Sequence, residues 1–140
     1  MIKEIVTDIN FLSKKCEPCK NGEDIQEVID DLMDTAKDYM DNCAGLAANQ
    51  VGHLKRIILI RFNDVFTPYI NPEIVFTGGG TSYYGETCLS RPGENPIFKT
   101  RYKKIKIEHD VEGRRVKSTF RQFPARVVQH EIDHLNGILI

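Results

Sequence analysis

The stretch VVQHEIDHLNGILI, residues 127–140, contains the pattern HExxH at His130, Glu131 and His134. On a helix, side chains four residues apart stack on one face, so both histidines can turn ring nitrogens toward one cation. Glu131 lies beside them, close enough to handle a proton of water at that cation and not required as a ligand. Val127, Val128 and Leu135 share the flank, which sets the motif next to a core. Two histidines and a glutamate on a solvated face would leave that apolar flank unexplained. Pro124 suits the first turn of this helix and Gly137 suits its end.

Two histidines alone hold an ion loosely; a catalytic site generally adds a third protein ligand and keeps a place for water. Proteases with this motif take the third ligand downstream, from a glutamate or a further histidine, whereas only LNGILI follows here. The third ligand must therefore come from upstream, where the candidates are the cysteines, His53, His109 and the carboxylates. Cys88 lies in GETCLSRPG (85–93), a glycine- and proline-rich loop that presents side chains rather than packing them. Taken alone it does not outweigh the ordinary reading of a free cysteine as a small buried apolar group. Cys16 and Cys19 form CEPC; with no second CxxC and no preceding strand, they read as structural. Cys43 stays open between core and pocket wall, and His53 and His109 are expected to face solvent.

Upstream, Ile25, Val28, Ile29, Leu32, Met33, Ala36 and Met40 recur at three and four between residues 24 and 42, the pattern of an amphipathic helix. CAGLAANQVG (43–52) reads as a loop and LKRIILIRF (54–62) as a buried strand. A strand over Tyr69–Thr77 is expected to close at Gly78, Gly79 and Gly80. KKIKIEHDVEGRRVKSTF (103–120) alternates about a turn at 110–113 and predicts an antiparallel hairpin. The expected fold is α+β, with mainly antiparallel sheets packed around the C-terminal helix, in one domain over 1–140.

The chain has 140 residues, 41% of them hydrophobic and 28% charged, and a net charge of -1. This is the make-up of a soluble globular domain and does not call for nucleic acid or a membrane. The N-terminal residues lack the apolar core of a secretory signal, so the expected location is the cytosol, with reduced cysteines.

GLAANQVG (45–52), ETCLS (86–90) and QHEIDHLNG (129–137), read together, resemble the three motifs of the peptide deformylase family in order and in separation. The resemblance makes Cys88, His130 and His134 ligands of one divalent metal ion, most often ferrous iron, with zinc, nickel and cobalt as alternatives. It makes Glu131 the general acid and base, and gives the formyl oxygen to the Gln50 amide and the Leu89 backbone N–H. Gly45 would let the substrate backbone approach, with Cys43, Ala44, Glu86 and Arg91 around the pocket. The activity implied is removal of the formyl group from the N-terminal methionine of new polypeptides. The partners are formylmethionyl nascent peptides, with the ribosome as an optional further one, and the enzyme would act as a monomer.

Four departures from the family pattern stand out. Cys43 and Thr87 occupy places where the family usually has glycine, Arg91 replaces an aliphatic residue, and the further C-terminal helix of many bacterial members is not present in this sequence. In addition, no arginine is identifiable as partner to Glu86, which is therefore expected to lack one. These departures motivate two alternatives: a metal amidohydrolase of the same fold with another substrate, and a silent homologue that binds peptides or ribosomes. Retention of the three ligands and Glu131 speaks against the silent one.

Overall fold

The computed structural model describes residues 1–140. Five strands, β1 (Gly45–Ala47), β2 (Ile57–Phe62), β3 (Val65–Glu86), β4 (Ile97–Val111) and β5 (Arg114–Arg121), form one antiparallel sheet in sequence order. The helices are α1 (Ile9–Leu12), α2 (Gln26–Asp38) and α3 (Phe123–Leu135).

The uninterrupted apolar run of β2 has a physical cause: both of its faces are covered. Ile57 and Leu59 pack with Val28, Leu32 and Ala36 of α2, whereas Ile58 and Ile60 pack with Ile105, Ile107, Val128, Ile132 and Leu135 on the side of α3. Each fully buried leucine or isoleucine contributes about 1.5–3 kcal/mol, so β2 is the centre of the fold. Helix α2 is shorter than its periodicity suggests and gives way to a 3-10 turn over Met40–Asn42. Two polar residues also lie on its buried side: Asp31, whose Oδ2 is 2.8 Å from His53 Nε2, and Thr35, which accepts the Lys3 N–H at 2.8 Å.

Three expectations need correction. The segment read as a loop after α2 contains β1, paired with β2 through Gly45↔Ile60, followed by a 3-10 turn over Ala48–Val51. The glycines at 78–80 do not end β3. Gly79 and Gly80, at φ +72 and +81, take up a register shift between Gly78 and Thr81, after which pairing resumes as far as Glu86↔Ile97; a bulge bends a strand without stopping it. His109 and His53 do not simply face water. His109 is in phase with Ile105 and Ile107, is buried, packs edge-on against Tyr69 at 4.9 Å, and lies 2.8 Å from Ser118 Oγ through Nε2. His53 is turned onto the buried Asp31.

The hairpin turns at Glu112 and Gly113, both with positive φ, as a two-residue turn between right-twisted strands requires. Helix α3 has Pro124 in its first turn and ends at Gly137, whose φ is +73. Ile138 N–H donates to Asp133 O at 3.0 Å and Gly137 N–H to His134 O at 3.0 Å, closing the last turn. The helix packs against β1, β2, β4 and β5. Ile140 is buried whereas Ile138 and Leu139 are exposed, and these last residues form no strand.

Candidate metal and catalytic site

Cys88 lies two residues beyond the end of β3, and His130 and His134 lie one turn apart on α3. Their Sγ and ring nitrogen atoms all fall within 4.8 Å of one another. His134 Nε2 is 3.2 Å from His130 Nε2 and 3.3 Å from Cys88 Sγ. Ligands about 2.1 Å (nitrogen) and 2.3 Å (sulfur) from a tetrahedral ion would be separated by about 3.4–3.6 Å, close to these spacings.

The surroundings fix which ring nitrogens face the centre. Glu86 Oε1 lies 2.9 Å from His130 Nδ1, and a carboxylate can only accept, so Nδ1 carries a proton and, in the neutral ring, the Nε2 lone pair points inward. His134 Nδ1 is buried without a partner. With both rings neutral, a His134 proton on Nδ1 sets two lone pairs face to face at 3.2 Å, and a proton on Nε2 leaves a buried acceptor unsatisfied. A cation among the three donors removes the conflict, so these residues fit a divalent metal.

Glu86 has the partner that the sequence reading did not identify. Arg101 of β4 donates Nε and Nη2 to its two oxygens at 2.8 and 2.7 Å, and Nη1 to Asp133 Oδ2 at 2.6 Å. A chain thus runs Asp133, Arg101, Glu86, His130. Burial works against ionised Glu86, but hydrogen bonds from Arg101 and His130 outweigh it and hold the carboxyl down at about 2. Burial likewise disfavours the His130 cation, and without an ion the hydrogen bonds that His130 donates to Cys88 and Glu86 overcome it, raising its pKa. His134 moves the other way, lowered by burial first and then by the neighbouring His130 charge. A signal for Arg101 was present in the alternation of β4, where an arginine stands in phase with the core residues Ile105 and Ile107.

A cavity of about 210 Å³ opens onto this cluster; its walls include Ala44, Gly45, Gln50, Glu86, Leu89 and Glu131. Glu131 is 4% exposed, and its Oε1 is buried without a hydrogen-bond partner. Burial raises its pKa to about 7, against the pull of the His130 charge, the range for passing a proton in both directions at neutral pH. Gly45 packs against it: a Cβ there would meet Val127 Cγ1 at 2.8 Å and Glu131 Oε2 at 3.0 Å. The Gln50 amide is oriented by the backbone, because Oε1 accepts the Ala47 N–H at 2.9 Å and so turns Nε2 toward Cys88 Sγ (3.3 Å) and Ser90 Oγ (3.1 Å). No backbone carbonyl engages the Leu89 N–H.

Two residues named for the pocket sit elsewhere. Cys43 is buried in the α2-side core, with its thiol 3.4 Å from Gly45 O, and burial pushes that thiol up to about 12. Arg91 points away from the cavity, donating to Ile140 O at 2.5 Å and Asn95 O at 3.4 Å. Asn49, Ser90, Phe123 and Arg126 are additions: Asn49 Nδ2 donates to His134 O at 2.8 Å, and Phe123 and Arg126 line the cavity. Asn49 carries no signal beyond its place beside Gln50.

The family model for polypeptide deformylase matches residues 2–140. The peptide deformylase of Clostridium beijerinckii is 39% identical over 142 residues, covering the whole of both chains. Peptide deformylase 3 of Shewanella oneidensis is 40% identical over 131 residues, covering 90% of this chain and 78% of that one. Among solved structures, the class I type b peptide deformylase of Acinetobacter baumannii bound to Met-Ala-Ser superposes with a TM-score of 0.86 at 29% identity, covering 99% of this chain and 97% of that one. The deformylase of a Vibrio parahaemolyticus bacteriophage, in complex with actinonin, gives 0.87 at 34% identity, covering 99% and 100%. With its motifs, its fold and these relatives in agreement, the chain belongs to the peptide deformylase family.

Proposed function

We propose that this chain hydrolyses the formyl group from the N-terminal methionine of newly made polypeptides, releasing formate and a free amine. The observation that carries the reading is the convergence of Cys88, His130 and His134 beside a cavity whose lining includes Cys88, His130 and Glu131, the last with its Oε1 buried and unpartnered. Those three residues would hold one divalent ion. Their donor set suits iron, zinc, nickel or cobalt, and the family resemblance favours ferrous iron. When bound, the ion supplies Lewis-acid polarisation of the formyl group and acidification of water.

The chain's own groups do the rest. Gln50 Nε2, turned inward by its bond to Ala47, and the Leu89 N–H are donors for the formyl oxygen as charge develops on it. Glu131 takes a proton from the attacking water and returns it to the departing amine. Gly45 leaves the space in which Glu131 and a substrate backbone come close. The enzyme is proposed to act as a monomer. Work on nascent peptides in the cytosol, with the ribosome close at hand, follows from the same reading.

The test is formate release from a short formyl-Met peptide by protein purified and loaded with iron anaerobically, alongside metal analysis. Cys88→Ser is expected to lose stoichiometric metal, and Glu131→Gln to keep metal while losing about 10²–10⁴-fold in kcat. No formate from the metal-loaded protein refutes the substrate, and full metal content in Cys88→Ser refutes the ligand set.

A further inference from the structure

Between residues 98 and 126 the chain carries ten Lys or Arg against three acids, although the whole protein has a net charge of -1. The register of the sheet sorts these charges. Ile105 and Ile107 face the core, so Phe98, Tyr102, Lys104 and Lys106 lie on the opposite, outer face of β4. Cross-strand pairing adds Tyr83 beside Thr100, Phe76 beside Lys106 and Arg121 beside Lys104 to that face.

Four aromatic rings on this face are open to solvent: Tyr83 is 66% exposed, Phe98 60%, Tyr102 44% and Phe76 44%. Tyr83 and Phe98 meet edge to face with centroids 5.3 Å apart, so one ring braces the other. The ammonium groups of Lys104 and Lys106 sit 5.7 and 5.3 Å from the centre of the Phe76 ring. The acids of this face lie at its other end, where Arg115 meets Asp110 at 3.1 Å and Glu73 at 3.5 Å, and Lys117 stands opposite Glu108. One end is therefore charge-balanced, and the other carries cations and aromatic rings without an acid.

Exposed lysines alone keep a sheet face soluble, but exposed rings work against solubility and call for an occupant. An apolar protein surface would leave Lys104, Lys106 and Arg121 facing no opposite charge. A polymer with phosphates and unstacked bases meets both features at once, because phosphates pair with the cations and bases stack on rings. A duplex keeps its bases inside and would use only the cations. We propose that the outer face of β3, β4 and β5, centred on Tyr83, Phe98, Tyr102, Lys104, Lys106 and Arg121, binds single-stranded RNA. The surface lies on the opposite side of the sheet from α3 and does not rest on the deformylase reading.

The experiment is a fluorescence anisotropy titration with a labelled single-stranded RNA of about 12 nucleotides, within the span such surfaces cover. Salt is varied from about 50 to about 200 mM. Three phosphate contacts give a slope of log K against log salt of about -2. Lys104→Gln with Lys106→Gln and Arg121→Gln should flatten that slope, and Tyr83→Ser with Phe98→Ser should weaken binding at least about tenfold while keeping it. Both variants change only surface side chains and should release formate from the formyl peptide at the wild-type rate. The proposal fails if no RNA binds at the lowest salt, if the variants bind like wild type, or if a duplex of the same sequence binds as tightly. It also fails if sedimentation shows Phe98→Ser dissolving a dimer in protein that ignores RNA, which would make the face a protein interface.

Discussion

Replacing Arg101 by methionine removes the middle of the Asp133, Arg101, Glu86, His130 chain while keeping a side chain of similar reach. In the folded protein Arg101 is 5% exposed and Glu86 7%, so the loss leaves a buried carboxylate whose only remaining partner is His130. Breaking a buried ion pair from one side costs about 3–5 kcal/mol. The carboxyl itself gives a second route to the figure. Glu86 is held at about 2, against 4.5 for an ordinary glutamate, a gap worth about 3 kcal/mol. The sign is that of a depressed acid: the stabilisation is fully present above about pH 4.5 and is lost as pH falls through about 2. The bond from Arg101 supplies more of the depression than that from His130. At neutral pH the variant should therefore lose about 3 kcal/mol, most of it through Glu86, since the Asp133 end is more exposed.

Urea denaturation of chelated protein reads this loss directly, with no contribution from metal binding. A metal titration reads the second consequence. Without Arg101, Glu86 no longer holds the His130 ring in one orientation, and affinity should fall about 10–100-fold. Arg101→Lys keeps the charge but not the two-pronged contact and should fall between the two. A methionine variant within about 1 kcal/mol of wild type, a value typical of exposed pairs, together with unchanged metal affinity, would refute the claim that this chain orients the ligand.

Gly45→Ala places a methyl group 2.8 Å from Val127 Cγ1 and 3.0 Å from Glu131 Oε2; kcat should fall about 10²-fold through a displaced Glu131, with metal content unchanged by elemental analysis. Gly137→Ala drives a Cβ into the Ser13 carbonyl oxygen at a φ of +73; the melting temperature should drop by several degrees, and an unchanged value would mean that the α1 end yields freely. His109 has its pKa lowered, by burial first and then by the Arg115 charge. The unfolded chain therefore gains a proton below about pH 6.5 before the folded one does, and stability declines as pH falls through that window. His109→Gln should make the urea midpoint less dependent on pH there, and an equal dependence in both proteins would place the titrating group elsewhere.

The parts of the fold set by local periodicity were legible in the sequence. The spacing of Val28, Leu32 and Ala36, the run of β2, the turn at Glu112 and Gly113, and the bounds of α3 by Pro124 and Gly137 all follow from side chains near one another along the chain. The misreadings came from tertiary context. Gly79 and Gly80 carry the signal of a strand end, yet here β4 pairs on both sides of them and turns a terminator into a bulge. His109 has a polar side chain, but the phase of β4 overrides it and sends the ring into the core. HExxH puts two donors one helical turn apart and was visible at once, whereas Cys88 comes to the site from 42 residues before the first histidine and needed the family motif to be singled out. Average charge hid the outer face for the same kind of reason: acids gathered along residues 23–42 cancel the cations of β4 and β5 in the sum, not in space.

The groups around the cavity differ in how firmly they are held, and the difference follows their proposed roles. His130 is fixed by Glu86, which is fixed by Arg101; the Gln50 amide is fixed by the Ala47 N–H; Asn49 ties its own turn to the carbonyl of His134. A ligand or an oxyanion donor gains from such rigidity, because its task is to be in place before charge develops. Glu131 is the exception. One oxygen lies close to Gly45, and the other is buried without a partner, as are His134 Nδ1 and Asn49 Oδ1 among the neighbouring side chains. A group that must accept a proton from water and deliver it to an amine has to change partners during the reaction, and a fixed hydrogen bond to either oxygen would oppose one half of that task. Restraint without a fixed bond is what Gly45 provides, and a residue bearing a side chain at that position would have to displace the carboxylate.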